Sequence, residues 1–255
     1  MGYNLRFIKQ EDFEKHVENT LNQYRDTLKS MNLKEFNKNI IDPIKLLFDK
    51  NVMQESFEKL INMEIYRQRD KTNTNAIGYF HQNMFKYIKN CEVPNSGWDI
   101  IYKSPNTNNI YYVEMKNKHN TMNSSSASKT FMRMQNHLLN SEDRENSICA
   151  LVEVIAKQSQ NIPWVVTLDK EKQQSNERLR RISIDKFYEI VTGEKYAFRD
   201  MCLQLPKTIE KIIEANESLQ IENDTVLKEL NNLGKDKSIA LYKLAFETYE
   251  GFNFL

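Results

Sequence analysis

The spacing of apolar residues changes period along the chain, and the changes mark out its elements. Over residues 11–28, Phe13, Val17, Leu21 and Tyr24 recur three or four positions apart, the spacing of one helix face. Asp42 followed by Pro43 reads as an N-cap and first helical position. Residues 53–71 give another amphipathic helix. The polar stretch 72–75 reads as a break, and a further helix follows with Ile77, Phe80, Met84 and Ile88 on one face. From residue 99 the period becomes two. Residues 99–103 and 110–116 read as the strands of a hairpin, joined by the turn cluster Ser-Pro-Asn-Thr-Asn-Asn. Helical spacing returns in "SASKTFMRMQNHLL". The unbroken apolar run 148–155 suits a buried strand, and residues 163–168 read as one more. Ser183 and Gly193 then bracket a helix as N-cap and stop. Helix, hairpin, helix, strands and helix make an α/β order around a mixed sheet.

The tail from Pro206 has its own pattern. Ile209, Ile212, Asn216, Leu219, Asn223, Val226, Leu230 and Leu233 fall on the a and d positions of a heptad frame. Asn216 and Asn223 both occupy a, which weakens a two-stranded coil. A long helix folded back on its own domain is the first expectation, a dimerisation coil the second. The expected organisation is a helical N-terminal region at 1–72, a core at 73–205 and a helical C-terminal extension at 206–255.

Composition narrows the class. A chain of 255 residues that is 40% hydrophobic, with 13 Phe and 12 Tyr, has material for a sizeable core. The net charge of +1 does not announce a nucleic-acid binder, so any basic surface must come from local segregation of charge. Cys91, Cys149 and Cys202 are scattered and odd in number, as in a cytoplasmic protein with reduced thiols and neither a disulfide framework nor zinc spacing. The polar N-terminus lacks the apolar segment of a signal peptide, and Arg6 stands where myristoylation requires Ser or Thr. No apolar run reaches membrane-spanning length, so no membrane partner is expected.

The hairpin carries the candidate chemistry. Alternate strand residues share a face, so Tyr112, Glu114 and Lys116 point one way and Tyr111, Val113 and Met115 the other. Asp99, at the head of the preceding strand, falls at the same end of the hairpin. Two carboxylates converging on one point suit a hard cation such as magnesium. Such an ion acidifies a bound water and stabilises charge on a phosphate, and a lysine beside it can hold the attacking water. The ordinary reading of an acid and a lysine on an exposed strand is a solvated ion pair. The apolar strand before Glu114, the Asp heading the paired strand and the Gly97-Trp98 bend favour the metal-assisted reading.

Asp99 with Glu114-Met115-Lys116 resembles the PD-(D/E)xK nuclease signature, its two acids 15 positions apart and Trp98 standing where proline is usual. The segments "AIGYFHQNM", "EMKNKHNTMNSSSA" and "ISIDKFYEIVTGEKYAFRDMCLQLP" resemble type II restriction endonucleases, in particular the subgroup that cuts at GGNCC. The similarity covers residues 40–215. It implies an α/β, restriction endonuclease-like core with a mixed central sheet flanked by helices, plus helical N- and C-terminal extensions. It also implies Asp99, Glu114 and the Met115 carbonyl as Mg2+ ligands and Lys116 as the catalytic lysine. The wider family often has an acid four residues after a helical glycine. Here Gln82 follows Gly78, an amide that can orient water or else simply edge a core-facing helix. His81 lies nearer the apolar face and reads as packed.

A strand aimed at a scissile phosphate delivers its next residues beside a groove. Lys118, His119, Asn120, Thr121, Asn123, Ser124 and Ser125 are therefore candidate DNA contacts, cations to guanine edges, amides to adenine and hydroxyls to phosphates. The alternative is a polar loop in which Ser124 or Ser125 caps a helix beginning near Ala127. Arg178, Arg180 and Arg181 form a basic cluster that reads equally as phosphate contact or solvated surface. The expected protein is a Mg-dependent, site-specific double-strand DNA endonuclease of a restriction–modification system, a homodimer whose cognate methyltransferase acts on the same site. A non-cutting DNA-binding or helical scaffold protein, or a repair or junction nuclease on the same fold, is the alternative.

Overall fold

The computed structural model describes residues 2–168, 171–215 and 223–246, with the Leu168 side chain also outside the description. The chain opens with helices α1 (Gln10–Asp26) and the short α2 (Leu33–Phe36). Helix α3 (Pro43–Met53) starts as its sequence directs, with the Lys45 amide donating to Asp42 at 3.0 Å and Pro43 in the first turn. Helix α4 (Phe57–Met84) runs unbroken through residues 72–75, where a break was expected. Thr and Asn are weak helix formers, but neither Gly nor Pro interrupts that stretch, and Thr72 donates its hydroxyl to the Gln68 carbonyl at 3.1 Å.

A single turn of tighter helix (Phe85–Tyr87) leads into strands β1 (Cys91–Glu92), β2 (Ile100–Lys103) and β3 (Ile110–Lys118). Helix α5 (Ser124–Asn140) crosses to β4 (Ser147–Ile155). Then come β5 (Asn161–Pro163), β6 (Thr167–Leu168), β7 (Glu171–Lys172), β8 (Leu179–Ser183), α6 (Ile184–Thr192), α7 (Ala197–Ala215), α8 (Val226–Leu233) and α9 (Lys237–Phe246). The main sheet has the order β1-β2-β3-β4-β8-β5. Strands β1, β2 and β3 are antiparallel, β3, β4 and β8 are parallel, and β5 returns antiparallel at the edge. The sheet is mixed and flanked by helices.

One expectation for this region changes, and one strand was not expected. The strand expected at 163–168 is two pieces, β5 on the edge of the sheet and β6 in a separate ribbon with β7. Pro163 has no amide to donate, which confines it to an edge. Strand β8 had no clean alternation to announce it, because Arg180 and Arg181 sit between Leu179 and Ile182, both fully buried.

The chain forms two compact units, Met1–Leu21 with Ile77–Asn216, and Asn22–Ala76 with Glu217–Leu255. In the first, one core includes Phe13, Phe80, Met84, Phe85, Ile100, Val113, Val152, Phe187 and Tyr188. A second core there gathers Phe131, Met134 and Leu138 of α5 against Cys149, Leu151, Trp164 and Leu179. Strand β3 serves both, with Tyr111, Val113 and Met115 on the first and Tyr112 on the second. In the second unit Leu33, Phe36, Ile61 and Ile65 pack with Val226, Leu230, Ala240 and Leu241. Arg69 donates twice to Asp224 there, at 3.1 and 2.7 Å.

The heptad tail is not one helix. Helix α7 continues through Pro206 and its Ile212 is buried in the first unit's core, whereas residues 223–225 are non-helical and α8 begins at Val226. Asn216 and Leu219 lie outside the described residues. Val226 and Leu230, expected on a seam, are instead fully buried within the helical unit. Shared apolar spacing thus served two different cores. No helix among the described residues is long and apolar enough to cross a membrane.

Candidate active site

The hairpin brings Asp99 and Glu114 together. Gly97 takes φ +91°, a conformation a side chain would strain, and turns the chain into Asp99. The Asp99 amide donates to the Val113 carbonyl at 2.9 Å, one step beyond the pair Ile100–Val113, so Asp99 lies across from Glu114. Its carboxylate accepts from the Met115 amide at 2.7 Å. Burial pushes the Asp99 pKa above the ordinary value. The Met115 amide opposes that, Glu114 adds to it, and Lys116 and Arg133 oppose it. The pressure from Glu114 is what two carboxylates facing one point experience.

Glu114 and Lys116 share a face two residues apart, and the ammonium donates to the Glu114 carboxylate at 2.7 Å. The second oxygen of Glu114 accepts from Arg133 of α5 at 2.8 Å. The Arg133 guanidinium stacks 4.2 Å above the Trp98 ring. Trp98 in turn meets Tyr112 at 5.6 Å and His137 edge-on at 5.3 Å between ring centres. The Tyr112 hydroxyl donates to Asp143. Sequence reading missed Arg133 because α5 advertises only its buried face of Phe131, Met134 and Leu138. The tryptophan in place of proline before Asp99 was the one local sign of something to support.

Gln82, at the end of α4, donates to the Asp99 backbone carbonyl at 3.2 Å, which places its amide beside the acid. His81 is packed against Phe80, and burial first and His16 second lower its pKa to about 4. It lines a cavity of about 560 Å³ with Asn117, Ser183 and Asp185. Asn117 alternates with Lys116 along β3, so this recess opens on the other face of the sheet from Glu114 and Lys116.

The candidate DNA contacts divide. Lys118 and Asn120 are exposed where β3 ends. The His119 amide donates to the Ile155 carbonyl at 3.0 Å, and the Thr121 hydroxyl donates to the Lys118 carbonyl at 2.8 Å. Helix α5 begins at Ser124, three residues before the expected start, and Asn123 rather than a serine caps it, accepting from the Ser126 amide at 2.8 Å. Ser124 and Ser125 are exposed first-turn residues. The arginine cluster is largely committed to protein partners. Arg178 donates to the Arg144 carbonyl at 2.5 Å and Arg180 to Asn161 at 2.9 and 2.6 Å. Arg181 grips Glu153 at 3.0 and 2.5 Å. Of the three, Arg181 lies on the face of Glu114 and Lys116, with a 3.5 Å contact to the His119 carbonyl.

The donor set fits a hard divalent cation. Among the described residues no three His, Cys, Asp or Glu side chains gather into a metal cluster. An ion between Asp99 and Glu114 would complete its shell with backbone carbonyl, water and phosphate oxygens, as magnesium habitually does. Glu114 already holds two cationic groups, Lys116 and Arg133, one on each carboxylate oxygen.

An α/β core with paired acids and a lysine on its central hairpin defines a candidate phosphodiesterase. The chain belongs to the Eco47II restriction endonuclease family, whose model matches residues 5–214. It is 30% identical over 217 residues to the type II restriction enzyme Sau96I of Staphylococcus aureus, covering 82% of this chain and 81% of that protein. It is 28% identical over 214 residues to the type II restriction enzyme Eco47II of Escherichia coli, covering 82% and 88% respectively. Type II restriction enzymes are site-specific deoxyribonucleases.

Proposed function

We propose that this protein is a magnesium-dependent type II restriction endonuclease with a PD-(D/E)xK site that cuts double-stranded DNA at GGNCC. The observation that carries the reading is the convergence of Asp99 and Glu114, with Lys116 2.7 Å from Glu114, inside the stretch matched by the restriction endonuclease family. Asp99, Glu114 and the Met115 carbonyl would hold the ion. The chemistry supplied there is Lewis-acid stabilisation of the phosphate and a more acidic water. Lys116 positions that water and offsets phosphate charge, and the Gln82 amide orients it.

Beyond the hairpin, Lys118, His119, Asn120 and Asn123 present donors to guanine O6 and N7 in the major groove, and Ser124 serves a phosphate. Arg181, which shares the face of Glu114 and Lys116, adds positive potential there, while Arg180 falls on the opposite face of β8 and Arg178 just before that strand. GGNCC is a palindrome about its central pair, which suits a homodimer with each protomer reading one half and cutting one strand. The indifferent central pair needs no contact, though its deformability still matters. A cognate methyltransferase modifies the same site in the cytoplasm, where the DNA lies.

Digestion of DNA of known sequence in magnesium or EDTA tests this. Discrete magnesium-dependent ends at GGNCC for every central base support the reading. Ends at another short palindrome retain the nuclease and discard the specificity. Smeared product indicates a non-specific nuclease, and intact DNA indicates a non-cutting binding protein. A monomer on DNA by sedimentation discards the two-fold arrangement.

A further inference from the structure

Glu114 has more cations around it than it needs. Its carboxylate is only 14% exposed, and its two oxygens are taken by two different side chains, the Lys116 ammonium at 2.7 Å and the Arg133 guanidinium at 2.8 Å. A dication arriving between Asp99 and Glu114 competes for the same lone pairs. Repulsion between a dication and a guanidinium on one carboxylate far exceeds thermal energy at any protein dielectric. The arrival of the ion therefore favours release of one of the two resident cations.

The geometry says which. Lys116 belongs to the same strand as Glu114, two residues on and on the same face, so it stays at hand wherever Glu114 turns. Arg133 reaches in from α5, is 45% exposed, and has Glu114 as its one hydrogen-bond partner among the described residues. Its guanidinium plane is set by Trp98, which Tyr112 and His137 hold in turn. The guanidinium carbon sits 4.2 Å from the Trp98 ring centre while one Nη makes the bond to Glu114, which leaves further N–H donors of the fork for another acceptor. An edge-on planar fork matches two oxygens of a phosphate as well as it matches a carboxylate. A surface ion pair has no need of an aromatic platform built from Trp98, Tyr112 and His137.

We propose that Arg133 is a phosphate-binding residue of this site, held on Glu114 against Trp98 until metal and DNA arrive and then exchanging Glu114 for oxygens of the DNA phosphate. The proposal rests on the metal-dependent nuclease reading above. It assigns a purpose to the tryptophan found where the resembled signature has proline: Trp98 keeps the guanidinium plane fixed while its edge changes partner.

Three readouts on the full chain test it. At saturating magnesium, Arg133→Ala cuts roughly 100-fold more slowly, the usual scale for removing one pre-organised charge donor from a phosphate or oxyanion, and Arg133→Lys falls between. Without DNA, Mn2+ titrated calorimetrically binds Arg133→Ala more tightly than wild type, because a competing cation has gone. A purely structural role for Arg133 predicts the opposite, weaker metal binding. The chain has two tryptophans, so Trp164→Phe leaves Trp98 as sole reporter. Its emission shifts when calcium and a duplex carrying the mapped site are added, and the shift is absent once Arg133→Ala is introduced. If Arg133→Ala does not fold, Arg133→Gln, neutral and of similar length, gives the same comparisons. Unchanged turnover, weaker Mn2+ binding, or a Trp98 shift that persists without Arg133 overturns the proposal. Wild-type protein that cuts no DNA in magnesium overturns the nuclease reading and this inference with it. Wild type that cuts while Arg133→Ala cuts equally fast overturns this inference alone.

Discussion

Two glutamates on neighbouring strands make ion pairs on the same face of the sheet, and they differ in kind. Glu114 on β3 is shared between Lys116 and Arg133, which come from two elements and are 32% and 45% exposed. Glu153 on β4, in register with Lys116, has a side chain 2% exposed and meets Arg181 alone, through two near-parallel bonds at 3.0 and 2.5 Å. Glu153 is sealed in the sheet with both oxygens on one guanidinium, itself 31% exposed, so that carboxylate offers nothing to an arriving cation. A carboxylate divided between separate, partly solvated cations beside a second acid can trade partners. Burial of the carboxylate and the number of its partners, more than residue type, separate the candidate reactive pair from the structural one.

The largest expected effect breaks the contrast from the reactive side. Glu114→Gln removes the charge that gathers Lys116, Arg133 and, on the proposed reading, the metal, and cleavage should fall by roughly 100-fold or more with the fold intact. Glu153→Gln should do the reverse, with turnover per folded molecule near wild type but Arg181 left without its charge partner. Loss of about 3 kcal/mol in urea unfolding is expected. A stable Glu153→Gln protein that fails to cut would merge the two pairs into one functional network.

A smaller effect separates capping from reading at Asn123. Asn123→Ala should cost about 1 kcal/mol through the lost cap of α5, and Asn123→Ser should restore stability. If Asn123→Ser also cuts like wild type, the residue caps and does not read a base.

Asp99 gives the subtlest test. Its pKa is raised, so the folded state holds a proton more tightly than the unfolded chain. The stability this group contributes is full below the ordinary aspartate pKa of about 3.9 and is lost as pH rises through its folded value. Asp99→Asn, which keeps an oxygen for the Met115 amide, should be slightly more stable than wild type at neutral pH. The advantage should close in acid. Urea midpoints across that range decide it, and a wild type stabler than Asp99→Asn at neutral pH would mean the acid is not under pressure.

The hairpin, its facing acids and the Glu114–Lys116 adjacency were legible because strand alternation is strictly local. The α6 boundaries were legible for the same reason, Ser183 and Gly193 being local signals. Strand β8 was hidden because its inward charge, Arg181, has its partner 28 residues away on β4. The heptad tail misled because apolar spacing states that a face will be buried and not in which core. Val226 and Leu230 lie with Leu33 and Phe36, a pairing between distant segments. Arg133 was invisible for the same reason, since its two partners, Trp98 and Glu114, are brought to it by the sheet. What remained illegible was long-range: which charge meets which.

The account stands most directly on Lys116. Single-turnover cleavage of a duplex carrying the mapped site, in saturating magnesium, compares wild type with Lys116→Ala, each checked by circular dichroism. Lys116 lies on a partly exposed face outside both cores of its unit, so the variant should keep the native spectrum while cleavage slows by roughly 100-fold or more. A natively folded Lys116→Ala protein that cuts at the wild-type rate would contradict the assignment of this hairpin as the active site.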